Sequence, residues 1–251
     1  MRYYSHQWDI VYALGSNQKP LSALQSLQIY GWICCKDELM SLFDKAPITW
    51  LAASLRHLSF TIPATTMVDS MYSAERFWKQ VVVQRVLQPA VNLESLEIIG
   101  SIYIGECEDA KCFDVSQAQV ATFPRLAVLS LKGIVWEDGI SDPLEFVLRH
   151  QKTLKKLKLN TCPINVRGRS GPTHYWVDIY KRLANALTGL VELKVEFELE
   201  EDRIPYVSYF YFFLTNYDLK KGEAGDADLE QDALALEEFR AVVRNRRIGG
   251  G

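Results

Sequence analysis

The sequence predicts an α/β fold: short parallel strands side by side in one curved sheet, with helices of variable length behind it. Three observations predict it. A short phrase, apolar at its first, fourth and sixth positions, occurs six times. Helical patterns fill most of the gaps between copies. The composition, 48% hydrophobic and 24% charged over 251 residues, is that of a globular chain.

The fullest copy is Leu154-Lys155-Lys156-Leu157-Lys158-Leu159-Asn160-Thr161-Cys162. The six copies rest on Leu24, Leu27 and Ile29; Leu55, Leu58 and Phe60; Leu93, Leu96 and Ile98; Leu126, Leu129 and Leu131; Leu154, Leu157 and Leu159; Leu190, Leu193 and Val195. The second and third positions are two apart, so in a strand they share a face. The first lies where the chain enters the strand and turns into the same core. One such strand cannot bury its apolar side alone; stacked copies bury a continuous stripe. This pattern is the leucine-rich-repeat signature, so the fold class expected is a leucine-rich-repeat solenoid with its sheet on a concave face. The copies start 31, 38, 33, 28 and 36 residues apart. Those spacings exceed the usual 20–29 or so, so the return segments must hold real helices.

In chain order, residues 1–20 are aromatic and irregular, with Trp8, Ile10 and Tyr12 alternating as an edge strand would. They read as a degenerate first repeat or as the end of a truncated chain. Asp37 and Glu38 open a short helix that Pro47 closes. A longer helix is expected over about 73–88, with Phe77, Trp78, Val81, Val82 and Val86 inward and Pro89 ending it. A weak helix is expected near 115–121. Asp142-Pro143-Leu144-Glu145 has the form of a capping box, with Asp as N-cap, Pro at the first helical position and Glu at the third. Arg167 to Pro172 reads as a basic loop. A helix over about 174–187 follows, which Gly189 stops. Residues 200–247 read as a C-terminal capping segment: an aromatic run from Pro205 to Tyr217, a solvated Gly/Asp/Glu stretch, and an amphipathic helix from about Leu229 to Arg246. The expected organisation is 1–20 irregular, 21–199 solenoid and 200–247 cap.

Net charge is −3, which does not suggest a nucleic-acid partner. No apolar h-region follows Met1, and no run approaches 18 apolar residues, so neither a signal peptide nor a membrane partner is expected. Five cysteines, two of them adjacent, make a poor disulfide framework. The place expected is reducing: cytoplasmic or nuclear.

Strand residues between the stripe positions point outward and form a polar ladder. Its candidate partner-binding residues are Gln28, Tyr30, His57, Ser59, Glu97, Ser130, Lys132, Lys156, Lys158, Glu192 and Lys194. The plainer alternative is a solvated face on which Lys156 and Glu192 pair across neighbouring strands. No catalytic set is evident. The four histidines include no H-E-x-x-H, Gly168-Arg169-Ser170-Gly171 is not a nucleophile elbow, and Glu106 stands where a phosphate loop needs lysine. Cys107 and Cys112 lack the second pair a structural zinc site needs. No cofactor and no metal are expected. Cys162 occupies the small-residue position of the turn after the strand.

The phrases Asn92-Leu93-Glu94-Ser95-Leu96-Glu97-Ile98, Phe123-Pro124-Arg125-Leu126-Ala127-Val128-Leu129-Ser130-Leu131 and Ser54-Leu55-Arg56-His57-Leu58-Ser59-Phe60 resemble those of fungal F-box-associated leucine-rich-repeat proteins. The tail leading to Ala235-Leu236-Glu237-Glu238-Phe239-Arg240-Ala241-Val242-Val243 is also similar. The resemblance covers about 20–247. It implies a non-enzymatic protein-interaction module, the part of a ubiquitin-ligase receptor that holds a substrate protein. Residues 1–20 are too short for an F-box, so the adaptor of a cullin-based ligase would be a partner only of a longer form. The alternatives are an enzyme with its site in the long loops at 101–115 or 165–173, and a remnant without a function of its own.

Overall fold

The computed structural model describes residues 24–30, 52–62, 78–100, 122–134, 136–137, 143–162, 164–167, 176–196, 209–212 and 226–249. Six strands form one all-parallel sheet: β1 (Ser26–Ile29), β2 (His57–Ile62), β3 (Ser95–Gly100), β4 (Val128–Lys132), β6 (Lys156–Asn160) and β8 (Glu192–Glu196). Each pairs with the next one in that order, and each carries one copy of the phrase.

The backbone sets the register the same way at every step. The Gln25 carbonyl accepts from the N–H groups of both Arg56 and His57; Arg56 does the same for Glu94 and Ser95. Glu94, Ala127 and Lys155 repeat the arrangement for the next three strands. Just upstream, Leu55, Leu93, Leu126 and Leu190 each donate a backbone N–H to the carbonyl three residues earlier. That tight turn tips the first leucine of the phrase into the core. With the register fixed, Leu58, Leu96, Leu129, Leu157 and Leu193 align across the sheet, as do Phe60, Ile98, Leu131, Leu159 and Val195. The inner strands bury this stripe fully. On β1, at the edge among the described strands, Leu24, Leu27 and Ile29 are only partly covered, since burial there comes from one neighbour.

The single leucine-rich-repeat solenoid is corrected here. The described residues build two parallel sheets, and the second has no place in a one-sheet reading. β5 (Trp136–Glu137), β7 (Ile164–Arg167) and β9 (Tyr209–Phe212) pair in that order, with Ile164 in register with both Trp136 and Tyr209. These segments carry no repeat phrase. Aromatic and β-branched residues favour strands wherever a pairing edge exists, and the run from Tyr209 to Phe212 finds one on β7. Arg167 therefore ends a strand rather than opening a loop. What stands is six parallel strands with helices, plus a smaller parallel sheet.

The segment Trp78–Leu87 is a π-helix rather than the α-helix expected over 73–88. It buries Val82, Val83, Val86 and Leu87. Helix α1 (Pro143–Arg149) starts at proline and buries Leu144, Phe146 and Val147. Helix α2 (Trp176–Ala186) buries Trp176, Ile179, Tyr180 and Leu183. Helix α3 (Asp226–Gly249) lies on α2 and β8 through Ala235, Leu236, Phe239 and Val243.

Helix α3 also closes both ends of α2. Asp232 Oδ1 accepts from the Val177 N–H at 2.8 Å, doing from another helix what an N-cap residue does locally. Arg246 donates to the carbonyls of Ala184 and Leu187 at 2.7 and 2.8 Å. The two contacts require α3 to run in the same direction as α2. Charge of the right sign thus meets each end of the helix dipole. Arg240 donates to the Val195 carbonyl at 3.0 Å, which blunts the edge of β8.

Among the described residues, no helix is long and apolar enough to cross a membrane. The strand expected at Trp8–Tyr12, the helix opened by Asp37 and Glu38, the loop Gly105–Cys112 and the helix near 115–121 lie outside the described residues.

Candidate functional site on the open face of the sheet

The period of two that buries the stripe turns the alternate residues outward, and the parallel register sorts them into rows. One row is Ser26, His57, Ser95, Val128, Lys156 and Glu192; the next is Gln28, Ser59, Glu97, Ser130, Lys158 and Lys194. Both rows surround a shallow depression of about 340 Å³ on this face. Of the eleven residues singled out from the sequence, nine line it. Tyr30 and Lys132 do not: Tyr30 follows the end of β1 and is 68% exposed, and Lys132 lies in a third row with Ile99 and Asn160.

The centre of the second row is a carboxylate held by two hydroxyls. Ser59 Oγ donates to Glu97 Oε2 at 2.7 Å, and Ser130 Oγ donates to Glu97 Oε1 at 3.2 Å. The three residues are register partners on β2, β3 and β4. One serine thus approaches each oxygen from either side. A carboxylate has about four acceptor positions and each hydroxyl keeps lone pairs of its own, so the group can still bind hydroxyls from outside. Ser130 is nearly buried and forms part of the floor. His57 is a diagonal neighbour of Glu97 across β2 and β3.

The other half of the face is cationic and cross-linked. Lys156 Nζ lies 2.6 Å from Glu192, the pairing expected across neighbouring strands. Lys158 and Lys194 are directly opposed register partners, and both turn to Glu196, at 3.4 and 2.5 Å. The hydrogen bond from Lys156 holds the Glu192 carboxyl below the usual carboxylate range; that from Lys194 does the same for Glu196. All five groups are a third or more exposed, so solvent screens these pairs.

His150 and Cys162 are titratable and buried, lie elsewhere and belong to the scaffold. His150 accepts from the Phe123 N–H through Nε2 at 3.2 Å, and its Nδ1 lies 2.9 Å from the Phe146 carbonyl. That pairing fits a neutral ring with its proton on Nδ1. Burial holds its pKa below the ordinary histidine value. The ring stacks on Phe123 and meets Phe146 edge-on, so it ties the turn before β4 to the end of α1. Burial pushes the Cys162 thiol up to about 11. Its Sγ reaches the Leu131 and Asn160 carbonyls at 3.4 Å, beside the turns after β4 and β6 where Gly133 and Thr161 take positive φ. Neither group opens onto the depression.

Among the described residues, no group of three or more His, Cys, Asp or Glu side chains is placed to hold a metal. Cys107 and Cys112, and the loops 101–115 and 168–173, lie outside the described residues. The Ser59–Glu97–Ser130 link was not evident in the sequence, although all three residues stand out as outward-facing. The signal that could have found it is the register: aligning the six phrases puts the three in one row.

No protein-family model matches the chain. No curated protein matches it either. Two solved structures that match are described as sugar phosphate isomerase/epimerases from Parabacteroides distasonis. One is 13% identical with a TM-score of 0.29, covering 76% of this chain and 67% of the other. The second is 14% identical with a TM-score of 0.28, covering 85% and 72%. The resemblance to F-box-associated leucine-rich-repeat proteins is therefore corrected: these comparisons return no protein of that kind. With it go the expectations it carried, namely a non-catalytic interaction module, a ubiquitin-ligase receptor and a chain that is no enzyme. Likenesses this distant put no fold and no activity in their place.

Proposed function

We propose that the open face of the six-stranded sheet binds a small polyhydroxylated molecule, seated over Glu97. The observation that carries this reading is the Glu97 carboxylate held by Ser59 and Ser130 at the centre of a 340 Å³ depression. A carboxylate with neighbouring hydroxyls recognises alcohols because it accepts while they donate and accept in turn. Hydrogen bonds to a charged acceptor are stronger than neutral ones. The outward side chains around it are mostly polar: His57, Gln28 and Ser95 flank it, and Val128 is the single apolar residue in the two rows.

The domain division belongs to the same reading: residues 21–199 carry the site, and 200–247 close its β8 side. The packing of α3 on α2 and β8 supports it. A cytoplasmic or nuclear place is also inferred, supported by five cysteines, two of them adjacent, which make a poor disulfide framework.

Sorbitol is a suitable probe, since it offers only hydroxyls. Titrated into the ¹⁵N-labelled protein, it should shift the amide resonances of β2, β3 and β4, with a Kd in the millimolar range. Glu97→Gln should weaken binding about tenfold or more, by loss of a charged acceptor. Absence of any shift, or shifts unchanged by Glu97→Gln, would overturn the reading.

A further inference from the structure

The face is polarised along one row. Glu97 lies on β3, Ser130 beside it on β4, and Lys158 and Lys194 follow on β6 and β8. Strands lie about 4.8 Å apart, so the carboxylate and the nearer lysine start about 10 Å from each other. A lysine directly opposite a lysine on the neighbouring strand is unfavourable. The structure offsets it with one carboxylate, Glu196, shared by the two ammonium groups. Two cations on one anion leave a net positive charge at the β8 end of a row whose middle holds a carboxylate. Both charges line the same depression. For stability alone, an ordinary lysine–glutamate pair at these two positions would do better, and the preceding row has one in Lys156 and Glu192.

We infer that Lys158 and Lys194 form the seat of an anionic group, so that the depression takes a short polyhydroxylated acid. Its alcohol end lies on Glu97 and its anion replaces Glu196 between the two lysines. This inference rests on the proposed function and adds the charge and orientation of the occupant. A six-carbon sugar acid has about the length needed to reach from Glu97 to the two lysines. Glu196 is then an internal competitor, which holds the lysines together when the seat is empty. The partial release of a shared, exposed ion pair makes its displacement cheap.

Gluconate, sorbitol and propionate separate the two claims, because they supply both groups, the hydroxyls alone and the carboxylate alone. Isothermal titration should give gluconate a Kd about tenfold or more below those of the other two. Lys158→Gln and Lys194→Gln should each bring gluconate to the sorbitol level and leave sorbitol unchanged. Glu196→Gln should tighten gluconate about two- to five-fold, since it removes a competitor of exposed-ion-pair strength. Circular dichroism of all three variants should match the parent, as these side chains are exposed. Sorbitol binding as tightly as gluconate would overturn the inference and leave the proposed function standing. Propionate binding as tightly as gluconate would keep the anion seat but remove the role of Glu97. No binding of any of the three would overturn both.

Discussion

The open face of the sheet and the junction between α2 and α3 both use charged side chains, but what the charges hold is different. On the face, Lys156, Lys158 and Lys194 hold carboxylates that solvent also reaches. At the junction, Asp232 and Arg246 hold backbone N–H and C=O groups at the two ends of a packed helix. An exposed pair exchanges one hydrated partner for another. A buried cap satisfies a backbone group that otherwise has none. The junction should therefore carry stability and the face should be free to carry ligand.

The largest effect belongs to the apolar part of the junction. Phe239 is buried between α2 and α3 and lies against Tyr180, with ring centroids 6.5 Å apart. Phe239→Ala should cost about 3–5 kcal/mol in urea denaturation. A loss below about 1 kcal/mol would mean that α3 is not integral to the fold. Next comes Asp232→Ala, which strands the Val177 N–H and should cost about 2 kcal/mol. Asp232→Asn, which keeps an acceptor, should restore much of that loss.

His150 sharpens the comparison through pH. Its folded pKa is lowered, so the neutral ring is the form that the fold favours. Its stability contribution is full above the unfolded value of about 6.5 and is lost as pH falls through the folded value. The melting temperature should fall as the pH drops from about 7.5 to about 5. His150→Gln should be less stable at neutral pH and should flatten that slope. An unchanged slope would assign the acid sensitivity to another group.

The smallest effect is on the face. Lys156→Gln should change stability by less than about 0.5 kcal/mol, and less still at high salt. If it cost more than Asp232→Ala, the division between a holding region and a free one would be wrong.

The six strands were legible because each keeps a period of two between apolar positions, and that period alone places residues such as Leu96 and Ile98 inside. The rows were legible only once a register was assumed, so Ser59, Glu97 and Ser130 each stood out as facing outward but not as neighbours in one row. The second sheet was not legible. β5 is two residues long, and β9 is aromatic at every position, so neither shows an alternation. The caps of α2 were invisible for another reason: Asp232 lies 55 residues from Val177, and Arg246 lies 59 from Leu187. The family resemblance failed because it rested on leucine spacing, which reports how strands pack and nothing about the surface they carry.

One consequence follows from the paired N–H groups that meet a single carbonyl at the start of each strand. The stretch between two strands varies from copy to copy in length and composition, yet Gln25, Arg56, Glu94, Ala127 and Lys155 all perform the same join. Alignment is thus coded by position at the join and not by the length of what precedes it. Insertions and deletions in the connecting stretches leave the rows in step. Such a molecule can exchange its outer segments during divergence while the face keeps the same neighbours.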